Sequence, residues 1–475
     1  MNFDIMLLLP ELSLFVLAAA LFTVSVTSPG DGAARRAYWL PWASLAVLAV
    51  CLGSLNARGV MFHGTYIVDG LSQIFKAAIA AGFLITSLFT PNARGVDDDK
   101  RADYLMFLAF SAWGLMLLSS AAELMTLYVA MEISSYSLYA VIPLRAQNKN
   151  AAEAGVKYIM FGAMATAVAL FGYSYILAGQ GTGFVSELAG MDWSFAGNPA
   201  AAIGLILFLC GVLFKLALFP FHFWAPDVYQ GTGNETAAFA ATLPKLGAAA
   251  VLVRLAALLA PNLEITFLLA LFAAASMTLG NLAALAQKDL KRMLGYSGIA
   301  HSGYLVIGLA AGTAEGLGAM SFYAIVYLLM NMACFWVVCH LRCDGKNPVY
   351  DDLNGLSKNA PGLALVLAVS AFALVGLPPT AGFMGKLFLL TSAWNHGYAW
   401  LVIVAVINTA LAIFYYLSLF RHAYTAETGG AVNLRDRNWM GTVAGTVMAA
   451  AILVLGALPG GLYRLALEAG TTLLP

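Results

Sequence analysis

The chain has 475 residues, of which 61% are hydrophobic and only 10% charged, with 24 Lys+Arg balanced by 24 Asp+Glu. Mean hydropathy is +0.83. A soluble domain carries about 25% charged residues, so this composition excludes a soluble enzyme, a nucleic-acid binder and a disordered chain. The apolar runs are about 20 residues long and continuous, which predicts membrane-spanning helices and not barrel strands. In chain order they fall at 7–26, 38–56, 70–90, 104–121, 124–143, 154–178, 201–221, 236–258, 263–285, 293–312, 317–340, 361–390, 399–420 and 441–463. The expected fold is an all-α polytopic membrane protein of about 14 transmembrane helices. The first run lacks the basic leader of a signal peptide and reads as a retained span. Span 12 is long and contains Pro378-Pro379, which predicts a broken helix, and Pro220 near the end of span 7 predicts another.

Lys and Arg set the orientation. Sixteen of the 24 lie in loops after odd-numbered spans, and only Arg58 and Arg464 lie on the other side. Both termini are therefore expected outside the cytoplasm. The remaining six, Lys76, Lys157, Lys215, Lys245, Arg254 and Lys386, fall inside spans.

An ionisable group at mid-bilayer costs roughly 2.5–3.5 kcal/mol on insertion scales and marks an ion or proton path unless it snorkels to the interface. Lys76 and Arg254 lie near span ends and read as snorkelling or structurally paired. Lys157 has Glu153 one turn earlier, so a structural pair and a functional role are both open. Glu132 is the one acid deep in a span, with Ser135 and Tyr136 on its hydroxyl-bearing side. Lys215 precedes Pro220, Lys245 follows Pro244, and Lys386 follows Gly376-Leu-Pro378-Pro379. Three lysines beside helix-breaking residues match the way transporters build ion sites from exposed backbone dipoles. His222 and His301 read equally as packed residues and as proton relays. The five cysteines, at 51, 210, 334, 339 and 343, form no C-x-x-C pair. Cys339, His340 and Cys343 read as small residues near a helix end, and no cofactor motif is present.

Span 10 resembles span 5 at an offset of 165, where Ser137, Tyr139, Val141, Ile142, Leu144 and Ala146 match Ser302, Tyr304, Val306, Ile307, Leu309 and Ala311. This predicts two inverted five-helix repeats, with broken helices 7 and 12 in corresponding places. The expected divisions are 1–103 (helices 1–3), 104–258 (helices 4–8), 259–420 (helices 9–13) and 421–475 (helix 14). Glu132 then corresponds to Ser297, so the halves are not equivalent.

Glu132, Lys215 before Phe219-Pro-Phe-His222-Phe-Trp224-Ala-Pro226-Asp227-Val-Tyr-Gln-Gly231, Lys245, Lys386 and the Asn281–Ser297 stretch with Lys291-Arg292 occur in one order. In that order the chain resembles the antiporter-like membrane subunits of bacterial NADH-quinone oxidoreductase, respiratory Complex I, over nearly its whole length. Three features favour the N type over its L and M relatives: the chain stops after span 14, span 12 carries Lys386 where M has Glu, and the Asp227 loop has the N-type sequence. One departure is Thr232-Gly-Asn-Glu235-Thr, where the family has small residues and Pro; Glu235 is assigned no role.

The resemblance implies proton translocation through Glu132, Lys215, Lys245 and Lys386, with Lys157, His301 and His222 as further members. It implies no cofactor in this chain. NADH, FMN, iron–sulfur clusters and quinone would belong to partner subunits, and subunits M, K and J would be neighbours. Burial disfavours an ammonium while a carboxylate near 4 Å favours it by a comparable amount, which suits a lysine to reversible protonation. The alternative is a subunit of an Mrp-type cation/proton antiporter, which shares the Glu/Lys pair.

Overall fold

A computed structural model describes residues 5–27, 39–89, 96–145, 149–259, 263–341, 346–425 and 439–471. Six of the sixteen positive loop residues, Arg35, Arg36, Arg94, Arg342, Arg435 and Arg437, lie outside these, as does Cys343. Each expected span coincides with helix. In order these are α1 (Leu9–Thr27), α2 (Leu40–Gly53), α3 (Gly70–Phe89), α4 (Arg101–Ser120), α5 (Leu124–Val141) and α6 (Lys149–Gln180). Next come α7 (Pro199–Leu216), α8 (Trp224–Gly231), α9 (Asn234–Arg254), α10 (Leu263–Leu285), α11 (Leu290–Ala310) and α12 (Ala314–His340). The chain continues with α13 (Pro361–Val375), α14 (Ala381–Asn395), α15 (Ala399–Tyr424), α16 (Trp439–Ala457) and α17 (Gly460–Thr471). Among the described residues, nine helices are individually long and apolar enough to cross a membrane, or ten if the bent pair at the C-terminal end is one span. The protein is thus an integral, polytopic, helical membrane protein.

Polar side chains begin several helices by accepting from free N–H groups. Glu123 accepts from Met125 N at 2.9 Å and Thr126 N at 2.7 Å at the start of α5. Asp289 accepts from Arg292 N at 2.9 Å at the start of α11. Two features depart from the all-helical expectation. A short antiparallel hairpin, β1 (Gly59–Met61) and β2 (Tyr66–Val68), occupies the connection before α3. The last span is not straight: α16 and α17 meet at 74°, where Pro459 cannot continue the hydrogen-bond ladder.

The packing has a centre and a periphery. Every residue of α9 from Glu235 to Arg254 is buried, and nearly all of α11 and α12 is too. α6 instead presents Val156, Met160, Met164 and Phe171 to the outside. A helix apolar on all sides but outermost suits lipid or a partner subunit; one buried throughout forms the core. Lys245, on α9, therefore stands at the middle of the molecule.

Two charges expected to snorkel or pair are paired. Lys76 Nζ lies 2.6 Å from Glu11 Oε1 with both side chains buried, and the Tyr66 hydroxyl donates to the same oxygen at 2.5 Å. Arg254 reaches Asp69 through two bonds of 3.0 and 3.1 Å and donates to the Ser119 carbonyl at 2.9 Å. Burial pushes the Asp69 carboxyl up, but Arg254 and the Ser72 hydrogen bonds outweigh it and hold the group below its ordinary value of 3.8. This pair is therefore fully stabilising above that value and loses its contribution as pH falls through the depressed one.

These pairs tie the N-terminal helices and the hairpin to the central helix. Lys76→Met leaves the Glu11 carboxylate buried without a cation, at a cost of about 3–5 kcal/mol. The expected outcome is a lower thermal unfolding temperature for the purified protein, with most of the loss recovered when Glu11→Leu is added. Differential scanning fluorimetry in detergent checks both.

Candidate functional site

The site begins on α5. Glu132 is nearly buried, and its Oε1 accepts from Thr166 Oγ1 of α6 at 3.0 Å. One turn on, Ser135 points inward and its hydroxyl accepts from Lys215 Nζ at 2.8 Å. Glu132 and Lys215 form no ion pair within 4.0 Å; the carboxylate is held by Thr166 and the ammonium by Ser135. Glu132 nevertheless acts electrostatically on Lys215. Tyr136, expected on the same polar side, is 62% exposed and faces outward.

Lys215 lies one residue before the end of α7. The helix stops because Ala217 adopts a left-handed conformation with φ 57° and the chain turns through the cis Phe219–Pro220 bond before α8. Breaking the helix frees carbonyls. The Leu216 carbonyl accepts from Ser302 Oγ of α11 at 2.6 Å, and the Phe214 carbonyl accepts from Trp224 Nε1 at 3.0 Å. The carbonyl freed beside Lys215 thus serves α11.

Lys245 corrects the expectation of three lysines at breaks. α9 runs unbroken through Pro244. The carbonyl orphaned by this proline is that of Ala240, and the Tyr229 hydroxyl donates to it at 3.3 Å. Tyr327 of α12 donates to the next carbonyl, Ala241, also at 3.3 Å. Lys245 Nζ donates to the Gly298 carbonyl and to Ser302 Oγ, the latter at 3.0 Å. Ser302 therefore stands between Lys245 and the peptide that follows Lys215.

His301, next to Ser302, is buried among tyrosines. Its Nδ1 lies 2.7 Å from the Tyr323 hydroxyl and its Nε2 3.2 Å from that of Tyr416. The charges of Lys245 and Lys386 both bear on it. Beyond it, Tyr304 donates to the Ala405 carbonyl at 2.9 Å, and Lys386 Nζ sits 4.3 Å from the centre of the Tyr304 ring.

Lys386 belongs to α14, after the second break. α13 ends at Gly376, which has φ 90°, and a cis Pro378–Pro379 bond follows. Lys386 Nζ reaches back to the freed Val375 carbonyl at 2.8 Å and to that of Leu374 at 3.4 Å. The two breaks share a plan, with a left-handed residue three positions before a cis proline. The lysines do not share it: Lys215 precedes its break and Lys386 follows the other.

The remaining candidates lie apart. Lys157 is 37% exposed and pairs with Glu153 at 2.8 Å and Asp227 at 2.7 Å; Asp227 also binds Arg292 at 2.5 Å. The Glu153 pair that the spacing allows is present, extended by a second acid. His222 is buried between the rings of Phe219 and Phe223, with no partner for Nδ1. His340 Nδ1 bonds the Trp336 carbonyl, and no metal-holding group of His, Cys, Asp and Glu occurs among the described residues.

Sequence reasoning missed Ser302, Thr166 and the tyrosines at 323, 327 and 416. The four-residue spacing of Tyr323 and Tyr327 on an otherwise apolar helix was the available signal. The core thus holds the buried Lys215, Lys245 and Lys386, the His301 imidazole and several hydroxyls, groups of the kind that take part in proton transfer.

Residues 121–412 match the family described as NADH:quinone oxidoreductase/Mrp antiporter, transmembrane. The chain is 57% identical to NADH-quinone oxidoreductase subunit N 2 of Solidesulfovibrio magneticus, over 98% of this chain and 99% of the relative. It is 45% identical to the subunit N 2 of Opitutus terrae over 88% of each. Among solved structures, a chain of respiratory complex I from Thermus thermophilus superposes with a TM-score of 0.83 at 33% identity, covering 96% of this chain and 99% of that one. A chain of the Mrp complex from Dietzia superposes at 0.86 over 100% of this chain but at 20% identity, a likeness of fold alone. The chain belongs to the NADH:quinone oxidoreductase/Mrp antiporter membrane-subunit family and, within it, to the NADH-quinone oxidoreductase N subunits.

Proposed function

We propose that this subunit carries protons across the membrane along Glu132, Lys215, Lys245, His301 and Lys386, coupled to quinone reduction elsewhere in the complex. The observation that supports this most is the Ser302 junction, where one hydroxyl meets both the Leu216 carbonyl and Lys245 Nζ. A purely structural scaffold needs no such buried ammonium chain, and each lysine in lipid adds insertion cost. Glu132 tunes Lys215 through the space around Ser135. Lys215, held at Ser135, and Lys245, held at Ser302, exchange a proton through water between the two hydroxyls; His301 and its tyrosines carry it onward, and Lys386 governs release on the far side.

The same reading assigns FMN, the iron–sulfur clusters, NADH and quinone to partner subunits, with subunits M, K and J as neighbours. It places the protein in the bacterial inner membrane with both termini periplasmic. The two five-helix units, 104–258 and 259–420, are read as inverted repeats because their breaks share one plan.

In the assembled oxidoreductase, Lys245→Met or Lys386→Met is expected to lower proton translocation roughly tenfold or more. NADH oxidation by an artificial electron acceptor stays at the parental rate, and Lys157→Met has a much smaller effect. Proton uptake by inverted membrane vesicles measures this, and a parental yield per NADH in the Lys245 and Lys386 variants contradicts it. Ser302→Ala leaves the Leu216 carbonyl without its hydroxyl donor, a loss of about 1–3 kcal/mol. It is expected to slow translocation while the complex still assembles, as read by vesicle acidification and native gel mobility.

A further inference from the structure

Glu235 and Lys291 have no part in the path described so far, yet both are buried. Glu235 lies in the first turn of α9, ten residues before Lys245, and Lys291 in the first turn of α11, ten residues before His301. Ten residues of helix rise about 15 Å. The two helices run side by side in the same direction: Lys291 Nζ donates to the Thr232 carbonyl at 2.6 Å just before α9, and Lys245 meets Gly298 and Ser302 further along. An acid and an amine thus sit one level below Lys245 and His301 on the same two helices. Burial and the nearby Arg145 disfavour the Lys291 ammonium, while Asp289 and Glu235 favour it. Thr236, beside Glu235, donates to the Tyr104 hydroxyl at 3.2 Å.

A second observation lies between the levels. α12 runs antiparallel to α9: its Tyr327 hydroxyl meets the Ala241 carbonyl, and its Val338 carbonyl accepts from Asn234 Nδ2 at 3.4 Å. Asn331 is one turn from Tyr327 towards Val338, on the face that meets α9. Asn331 is wholly buried, and neither its Nδ2 nor its Oδ1 has a hydrogen-bond partner. A buried amide with both ends unmet requires water. Tyr327 continues the line, since its ring lies 5.8 Å from Lys245 Nζ.

We propose that Glu235 and Lys291 form the proton inlet of this subunit, on its lysine- and arginine-rich side, and feed Lys245 through water held at Asn331 and past Tyr327. The inference rests on the proton path through Lys245. A proton from bulk water binds the Glu235 carboxylate, passes as hydronium through the Asn331 water and binds the neutral Lys245 amine, which restores the carboxylate. Lys291, held by the Thr232 carbonyl, is a positioning residue whose charge bears on Glu235.

The test uses the assembled oxidoreductase in inverted vesicles with the variants Glu235→Gln, Glu235→Asp, Asn331→Leu and Asn331→Ser, beside Lys245→Met. Glu235→Gln keeps shape and removes the proton acceptor; Asn331→Leu keeps volume and removes the water's partners. Each is expected to slow proton uptake roughly tenfold, with NADH oxidation by an artificial acceptor unchanged. Glu235→Asp and Asn331→Ser, which keep a carboxylate or a water partner, retain most of the rate, an outcome that a packing role does not give. Parental uptake in Glu235→Gln, with uptake lost in Lys245→Met, overturns the inlet and leaves the path standing. Parental uptake in Lys245→Met overturns the path itself and the inlet with it.

Discussion

A lysine ammonium buried in a membrane protein has three N–H donors and no water shell, so each must find an acceptor in the protein or in trapped water. For Lys215, Lys245 and Lys386 the acceptors are main-chain carbonyls and hydroxyls, not carboxylates. Lys386 takes the Val375 and Leu374 carbonyls exposed where α13 stops. Lys245 takes the Gly298 carbonyl and Ser302, and Lys215 takes Ser135. Partial charges solvate an ammonium without neutralising it, and so leave it able to give up its proton. A buried carboxylate at contact distance would hold the proton in place, as Glu11 does for Lys76 at 2.6 Å. The same chain therefore contains both designs: ion pairs that fasten the N-terminal helices and dipole-held lysines along the core.

Much of the architecture follows from that need for acceptors. α7 and α13 end inside the protein because left-handed residues and prolines stop them. The carbonyls released there do not face lipid; they are taken by Ser302 and Lys386, as backbone in a membrane must be. α9 carries Pro244 without breaking, because Tyr229 supplies the missing donor to Ala240. The result places α9, α11 and α12 at the centre, with the outer faces of helices such as α6 left apolar.

The positions of the helices were legible because runs of about 20 apolar residues bounded by charges have few other outcomes in lipid. The hairpin at Gly59–Val68 and the bend at Pro459 were not, since neither changes the average hydropathy of its region. Glu132, Lys215, Lys245 and Lys386 stood out because charge is scarce. Their partners did not: a carbonyl has no sequence signature, and a serine or tyrosine is ordinary in any helix. Ser135 illustrates the limit. Its spacing puts it on the polar side of Glu132, but nothing in the spacing shows that it is the hydroxyl that holds Lys215. Pro244 shows the reverse error, a helix-breaking residue that breaks nothing because a tyrosine hydroxyl waits at the right carbonyl.

The central claim is that dipole-held lysines form one continuous proton path through the core. An experimental structure of the assembled oxidoreductase, at a resolution that resolves ordered water, tests it most directly. The account predicts water or hydroxyl contacts at each step from Lys215 through Ser302 to Lys245, and from His301 to Lys386. A dry apolar gap on either side of His301, with Lys386 bonded only to the Val375 and Leu374 carbonyls, would contradict it.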